Sequence, residues 1–428
     1  MYSFKGKKLL ILGGAFQHCK VVEAAHKLGI VTYVADYLTD SPAKKMADKA
    51  LLVDIKDIDA LVSICREEMI DGVITTSLDP CQIPYQKICE QLDYPCFGTE
   101  EQFHILTNKK AFEKCCKKYG VDIIPSYSEK DIELFCNGNI QIDFPVVVKP
   151  VDSRGSRGQA ICRDINEVKA AIEIAKSESS NGQVVIEKYM GNCDDFTMTY
   201  LFIDGNAYLI RTGDRYLGTE ENGLNRVAIA ATSPSKHTEL FLKYVNERVI
   251  HMLKAIGIKN GPVFIQGFVD GNTVRFYDPG LRFSGGEYER LLKLSTGVDI
   301  IEMLVKFALC GRFEENGLPE ELYKLGGKYI MQLCPTLKEG RIAAVCGEEK
   351  LRENGNIITY SPRYGIGDNI LLKHDVGQRF AEICILSDDL NKEAENVKFV
   401  QETLHIIDTK GHEMLYDSFD VNRLFDKD

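Results

Sequence analysis

At 428 residues, 44% hydrophobic and 27% charged, the chain is too long for one compact core and reads as a globular protein of about two to four domains. A net charge of -11 argues against a nucleic-acid partner, because a phosphate backbone demands a basic surface, and no apolar run approaches the length of a membrane span. The segment Met1 to Lys8 lacks a signal peptide's cleavage region, so the expected location is the cytoplasm. The 14 cysteines are scattered through apolar segments without a CxxC pair, and the 8 histidines have no zinc-ligand spacing, which fits reduced, mostly buried thiols.

In chain order, Lys8 to Leu12 is a buried strand that ends in the Gly13-Gly14 turn. A helix over Gln17 to Leu28 and a strand over Ile30 to Ala35 follow, stopping at Asp36. Strand, glycine turn, helix, strand and acid evoke a dinucleotide fold, but Gly13-Gly14-Ala15-Phe16-Gln17-His18 is not GxGxxG, so the segment reads as a structural relic. Strands over Ala50 to Val53 and Gly72 to Thr75 alternate with helices over Ile58 to Glu68 and Pro80 to Leu92, the pattern of a parallel α/β domain. Thr75 to Asp79 lies at a strand's C-terminal end, where open α/β sheets place ligands, and Ser77 or Asp79 is expected to cap the next helix.

From Thr99 the pattern changes. Thr107-Asn108-Lys109-Lys110 opens a helix running to Tyr119, with a strand over Val121 to Tyr127 behind it. The β-branched run Pro145 to Pro150 reads as a buried strand ending in Lys149. Ser153-Arg154-Gly155-Ser156-Arg157-Gly158 follows, small residues with two arginines, whose backbone amides can turn toward an anion that the guanidiniums help neutralise. A helix over Asn166 to Glu178 leads to the apolar strand Val184 to Ile186, which runs into Glu187-Lys188-Tyr189-Met190. A lysine, a phosphate-cradling loop and a polar edge after a strand are the equipment of a nucleotide triphosphate site.

Asp195 to Ile203 and Asn206 to Arg211 form a hairpin across Asp204-Gly205-Asn206, and Lys236 to Gly257 reads as one long core helix. A second hairpin pairs Val263 to Val269 with Val274 to Arg282 and puts Gln266 and Asp278 within reach of one cation, each offering the hard oxygen that Mg²⁺ prefers. With these motifs in this order, the chain resembles the ATP-grasp superfamily, of the carboxylate–amine ligase type and with similarity to the carbamoyl phosphate synthetase and biotin carboxylase branch.

The resemblance covers nearly the whole chain and implies an α/β protein in three parts. These are an N-terminal parallel α/β domain over 1–98, a central α+β ATP-grasp domain of two subdomains over 99–311 with its small lid subdomain at about 120–190, and a strand-rich α+β C-terminal domain over 312–428. It implies ATP on Lys109, where a helix N-terminus also favours anions, on Lys149, and on Ser153, Gly155, Ser156 and Gly158. Adenine is expected against Glu187, Lys188, Tyr189 and Met190, and the ribose at Asp195, or at Asp194 if the turn is one residue shorter. Mg²⁺, for which Mn²⁺ can substitute, would sit on Gln266 and Asp278, and Arg282 and Lys149 are the expected catalytic residues, with Arg282 holding an acyl phosphate. The hairpin departs from the family's acid-x-Asn-x-Arg pattern: Asp278 stands for the usual glutamate, Gly280 replaces the asparagine, and Gln266 takes the place often held by an acid, as carbamoyl phosphate synthetases also tolerate. Ser284-Gly285-Gly286 looks like the loop that meets the substrate carboxylate.

Residues 287–311 are expected to be helical. Beyond Gly326, strands over Tyr329 to Leu333, Arg341 to Val345, Asn356 to Tyr360 and Arg379 to Leu386 and a helix over Leu390 to Leu404 resemble the C-terminal domain of the biotin-carboxylase-like branch, without a biotinyl-lysine motif. The implied activity joins a small-molecule carboxylate and amine into an amide through an acyl phosphate, releasing ADP and phosphate, and is compatible with a homodimer. Two rivals stand beside it: a bicarbonate-using carboxylase or carbamoyl-phosphate-forming enzyme, and a nucleotide-binding subunit with weak or no catalysis, suggested by the altered hairpin.

Overall fold

Short apolar strands separated by helices build the first layer. In the computed structural model, Lys8–Leu12, Val31–Asp36, Lys49–Leu52 and Gly72–Ile74 form a parallel sheet in which the first strand lies between the second and the fourth. The structure describes residues 3–150, 158–179, 181–191, 193–219, 223–224, 227–313, 317–372, 376–416 and 419–425. The glycine turn after the first strand is closed from within: Gly14 N donates to Asp36 Oδ2 (2.7 Å), and a Cβ on Gly14 would lie 1.9 Å from Ser41 Oγ. The acid of the dinucleotide-like pattern therefore serves its own turn, in keeping with a structural relic. The expected cap of Asp79–Leu92 is corrected: Leu78 holds the N-cap position without a side-chain bond, and Asp79 is the first helical residue.

An eight-stranded sheet forms the centre of the molecule. Its order is Thr273–Gly280, Gly261–Asp270, Asp195–Ile203, Asn206–Leu217, Ala228–Ser233, Tyr329–Leu333, Ala381–Ser387 and Ile357–Pro362, with every neighbouring pair antiparallel. Its last three strands come from beyond residue 312, so hydrogen bonding runs unbroken from the hairpin of Gln266 and Asp278 into the strand-rich tail. The strand Ala228–Ser233, which bridges the two halves, has no counterpart in the sequence reading.

The segment read as one helix from Lys236 to Gly257 is two, Thr238–Tyr244 and Asn246–Ala255, with Val245 out of helical geometry between them. Residues 287–311 likewise divide into Tyr288–Thr296 and Ile300–Cys310, because Gly297 ends the first helix in a left-handed conformation. The second of these packs on the N-terminal sheet so closely that a Cβ on Gly72 would lie 2.1 Å from the Ala308 carbonyl oxygen. The two layers thus share one core, in which Phe97 and Phe307 meet at 5.5 Å.

A separate four-stranded sheet, Ser126–Tyr127, Val184–Lys188, Val146–Pro150 and Ala160–Cys162, stands over the central one with its own small core. Alternation does the positioning here. Val146 and Val148 pack against the helix Ile165–Glu178, while Val147 and Lys149 face the opposite way, into a cleft.

Candidate active site

The cleft between the two sheets holds a cavity of about 900 Å³. Of the residues expected to hold a nucleotide or metal, Lys109, Lys149, Glu187, Lys188, Tyr189, Met190, Asp194, Asp195 and Gln266 all line it. Its apolar surface, including Ile123, Val147, Ile161, Met190, Leu217 and Phe268, suits a flat ring system, and its size is in the range of ligand pockets. Lys109 opens the helix Lys109–Tyr119, which Asn108 caps by accepting from Ala111 N, and Phe112 and Glu113 reach the same cavity from the next turn. That spacing of three and four residues marks one helix face and could have shown Glu113 in the sequence.

On the upper sheet Lys149 lies opposite Val185 and Glu187 opposite Val147, so the two charges are diagonal neighbours, and the Lys149 ammonium pairs with the Glu187 carboxylate. Lys188 Nζ lies 3.8 Å from Asp270 Oδ2. On the lower sheet Asp195 stands directly across from Arg215, whose Nη1 donates to Asp195 Oδ2 (2.8 Å), and Tyr277 Oη donates to Asp195 Oδ1 (3.2 Å). Burial pushes the Asp195 carboxyl up to about 6 against the pull of Arg215 and Tyr277.

This arrangement changes the ribose assignment. Asp195 is 4% exposed and already shared by two partners, so it holds the wall and does not offer a free acceptor. Asp194, the alternative, keeps 35% of its side chain exposed on the cavity and is bound by Lys236 Nζ and His237 Nε2, each at 2.8 Å. The His237 hydrogen bond, the largest influence, together with Lys236 holds its carboxyl well below the usual range despite partial burial.

The metal pair is also corrected. Gln266 and Asp278 are in register as expected. With its amide oriented to satisfy both contacts, however, the Gln266 oxygen accepts from Arg215 Nη1 (2.7 Å) and Nε (3.1 Å), which occupies both lone pairs. Asp278 is different. Burial raises its carboxyl above the ordinary value, Arg282 and Lys109 oppose that shift, and among the described residues no donor binds it. A partly buried carboxylate whose oxygen atoms no described donor occupies fits Mg²⁺, which is often held by one or two carboxylates, waters and substrate phosphates. No group of three or more His, Cys, Asp or Glu side chains suited to a metal occurs among the described residues.

Arg282 lies behind Asp278. Its Nε donates to Asp79 Oδ1 (2.6 Å), its Nη1 to the Phe283 carbonyl (2.8 Å), and its guanidinium stands 4.9 Å over the Phe264 ring. Ser284 receives the Arg211 guanidinium, and the Gly286 carbonyl accepts from Lys20 Nζ (2.8 Å), so the Ser284 to Gly286 loop is tied to the central sheet and to the helix Cys19–Lys27. Thr76, from the expected ligand-facing end of the first sheet, meets this loop through Phe283 N (3.1 Å). Ser153, Gly155 and Ser156 lie outside the described residues. Gly158, at φ +68, does not line the cavity; a Cβ there would lie 2.9 Å from both Pro150 Cγ and Glu178 Cβ, so packing accounts for this glycine.

Comparison with known proteins places these features in a family. The family model for the carbamoyl-phosphate synthase L chain, ATP binding domain, matches residues 108–315, and the PylC-like N-terminal domain matches residues 9–83. The formate-dependent phosphoribosylglycinamide formyltransferase of Haloquadratum walsbyi is 26% identical over 64% of this chain and 69% of its own length. The protein of the same name from Methanocaldococcus jannaschii is 27% identical over 45% of this chain and 50% of its own length. Alignments to such curated relatives thus span about half to two thirds of their length.

Among solved structures, an L-amino acid ligase from Bacillus licheniformis superposes with a TM-score of 0.77 at 19% identity, covering 95% of this chain and 99% of that one. A phosphoribosylglycinamide synthetase from Anaerococcus prevotii does so with a TM-score of 0.75 at 17% identity, covering 95% and 100%. These likenesses establish the fold. Taken with the domain matches, they give the chain an ATP-grasp fold whose residues 108–315 match the carbamoyl-phosphate synthase L chain, ATP binding domain.

Proposed function

We propose that this protein is an ATP-dependent carboxylate–amine ligase that forms an amide through an acyl phosphate and releases ADP and phosphate. The observation that carries the reading is the convergence of Lys109, Lys149, the adenine-edge residues and Gln266 on one cavity, with Asp278 in register beside Gln266 and under the influence of Arg282 and Lys109. The relatives named for formate-dependent formyl transfer and the amino acid ligase of the same fold support the same reaction class.

In this reading adenine lies along Glu187 to Met190, and Asp194 meets the ribose. Lys109 and Lys149 neutralise the phosphates, and Asp278 would hold Mg²⁺, which would supply further positive charge against them. A substrate carboxylate oxygen attacks the terminal phosphorus, and the bond to the bridging oxygen breaks to release ADP. Arg282 steadies the charge on the acyl phosphate. The amine then attacks the acyl carbon, phosphate departs with the bonding electrons, and the nitrogen loses a proton to give the amide. The Ser284 to Gly286 loop, tied to the central sheet and to the helix Cys19–Lys27, borders the substrate side of the site.

The reading takes the enzyme as cytoplasmic and as a homodimer. All fourteen cysteines are unpaired, which suits a reducing compartment. Among the described residues no helix is long and apolar enough to cross a membrane.

The test supplies amino acids and other small carboxylic acids with hydroxylamine as the trapping amine. Hydroxamate formed in step with ADP is the expected result. AMP and pyrophosphate, ADP release dependent on bicarbonate alone, or tight ATP binding without turnover across the panel would each replace this reading with another.

A further inference from the structure

The last described helical turn, Val421–Leu424, brings Arg423 to the wall of the same cavity, 207 residues along the chain from its contact Tyr216. Its placement is built from several sides. Asp420 caps the turn by accepting from Asn422 N, and Val421 and Leu424 are buried in a core built on the strands beyond residue 328, together with Tyr216 and Phe419. The Tyr216 hydroxyl donates to the Arg423 carbonyl (3.5 Å), and the guanidinium lies 4.9 Å over the Tyr216 ring and 5.8 Å from the Phe419 ring. Those two rings pack on each other at 4.8 Å, while Gln401 Nε2 holds the Phe419 carbonyl at 3.0 Å.

The charges around the cavity show what this guanidinium lacks. Glu187 is paired with Lys149, Asp195 with Arg215, and Asp194 with Lys236 and His237. Among the described residues no carboxylate forms an ion pair with Arg423. A half-buried cation fixed on an aromatic platform at a ligand cavity, without a counter-charge among the described residues, is matched by an anion on the ligand. We propose that Arg423 binds the phosphates of the nucleotide, so that the segment after residue 419 is part of the ATP site. The inference rests on the nucleotide reading of the cavity. It adds a phosphate contact from outside the matched ATP-binding segment, residues 108–315.

The experiment compares ATP and adenosine binding to the full chain by calorimetry. Arg423→Gln is expected to weaken ATP about tenfold or more, the loss of a charge-assisted contact, while leaving adenosine affinity unchanged. Arg423→Lys should recover part of the ATP affinity. A second measurement needs no variant: an arginine-directed dicarbonyl reagent, followed by peptide mass spectrometry, should modify Arg423 in the free protein and less when ATP is present, with adenosine giving no protection. Unchanged ATP affinity in Arg423→Gln, an equal loss for ATP and adenosine, or modification of Arg423 unaffected by ATP would overturn the assignment while the cavity remained a nucleotide site. Failure of the unaltered chain to bind ATP would overturn the nucleotide reading and this inference with it.

Discussion

At the scale of single residues, Gln266 and Asp278 illustrate how a shared register can still yield different roles. The two stand directly opposite on adjacent strands, yet Arg215 occupies the Gln266 oxygen while no described donor binds Asp278, which the proposed function takes as the anionic metal ligand. Asp278→Asn should therefore nearly abolish turnover and raise the Mg²⁺ requirement sharply, since only Asp278 brings negative charge to the cation. Gln266→Ala should leave the Mg²⁺ requirement unchanged and act instead through Arg215, which loses two hydrogen bonds. Magnesium titrations of ADP release separate the two, and an equal shift in both variants would return Gln266 to the metal.

At the scale of elements, the helix Leu390–Thr403 packs a carboxylic acid against the strand Ala228–Ser233. Glu393 is fully buried, its Oε2 accepts from Thr232 Oγ1 (3.1 Å), and its Oε1 has no partner among the described residues. Burial pushes its carboxyl up from 4.5 to about 8, against a small opposing effect of Thr232. The folded state therefore binds this proton more tightly than the unfolded chain does. The contribution to stability is fully present below pH 4.5 and is lost as pH rises through about 8. Glu393→Gln keeps the shape of the protonated acid, so its advantage over the unaltered protein should grow across that window to on the order of 4 kcal/mol and then level off. Denaturant unfolding at pH 5, 7 and 9 checks it, and a constant difference would refute it.

At the scale of the whole molecule, a few polar contacts join the first sheet to the central one at the proposed substrate side. Lys20 Nζ pairs with Glu289 Oε2 at 2.5 Å with both side chains buried, and Arg282 binds Asp79. Burial pulls the Lys20 ammonium down, but Glu289, Glu287 and Glu382 outweigh it and hold it above its ordinary value. Removing one member of such a pair leaves the other charge buried and uncompensated, which costs about 3–5 kcal/mol. Lys20→Met should be destabilised by that amount, and adding Glu289→Met should recover much of it. Calorimetric unfolding of the single and double variants would show this, and equal destabilisation in both would place the defect elsewhere.

Local patterning made the first sheet, the valine strand ending in Lys149, the helix behind Lys109 and the acid-bearing hairpin legible in the sequence, because hydrophobic alternation and turn residues act within a few positions. The same information located nine residues of the cavity wall, from Lys109 to Gln266. It missed the break at Val245 and the bridging strand Ala228–Ser233, one of whose two partners, Tyr329–Leu333, lies far away along the chain. It also left undecided which of two adjacent aspartates remains open to ligand and whether Gln266 is free for a metal. Both depend on Arg215, which reaches Asp195 and Gln266 only when three strands align side by side. The same holds for Arg423, brought to the cavity by packing of the segment after residue 419 on Tyr216. Motif order carried the resemblance to the ATP-grasp fold, while tertiary packing decided the local ion pairs, because charge pairing follows distance in space and short-range sequence patterns carry no record of it.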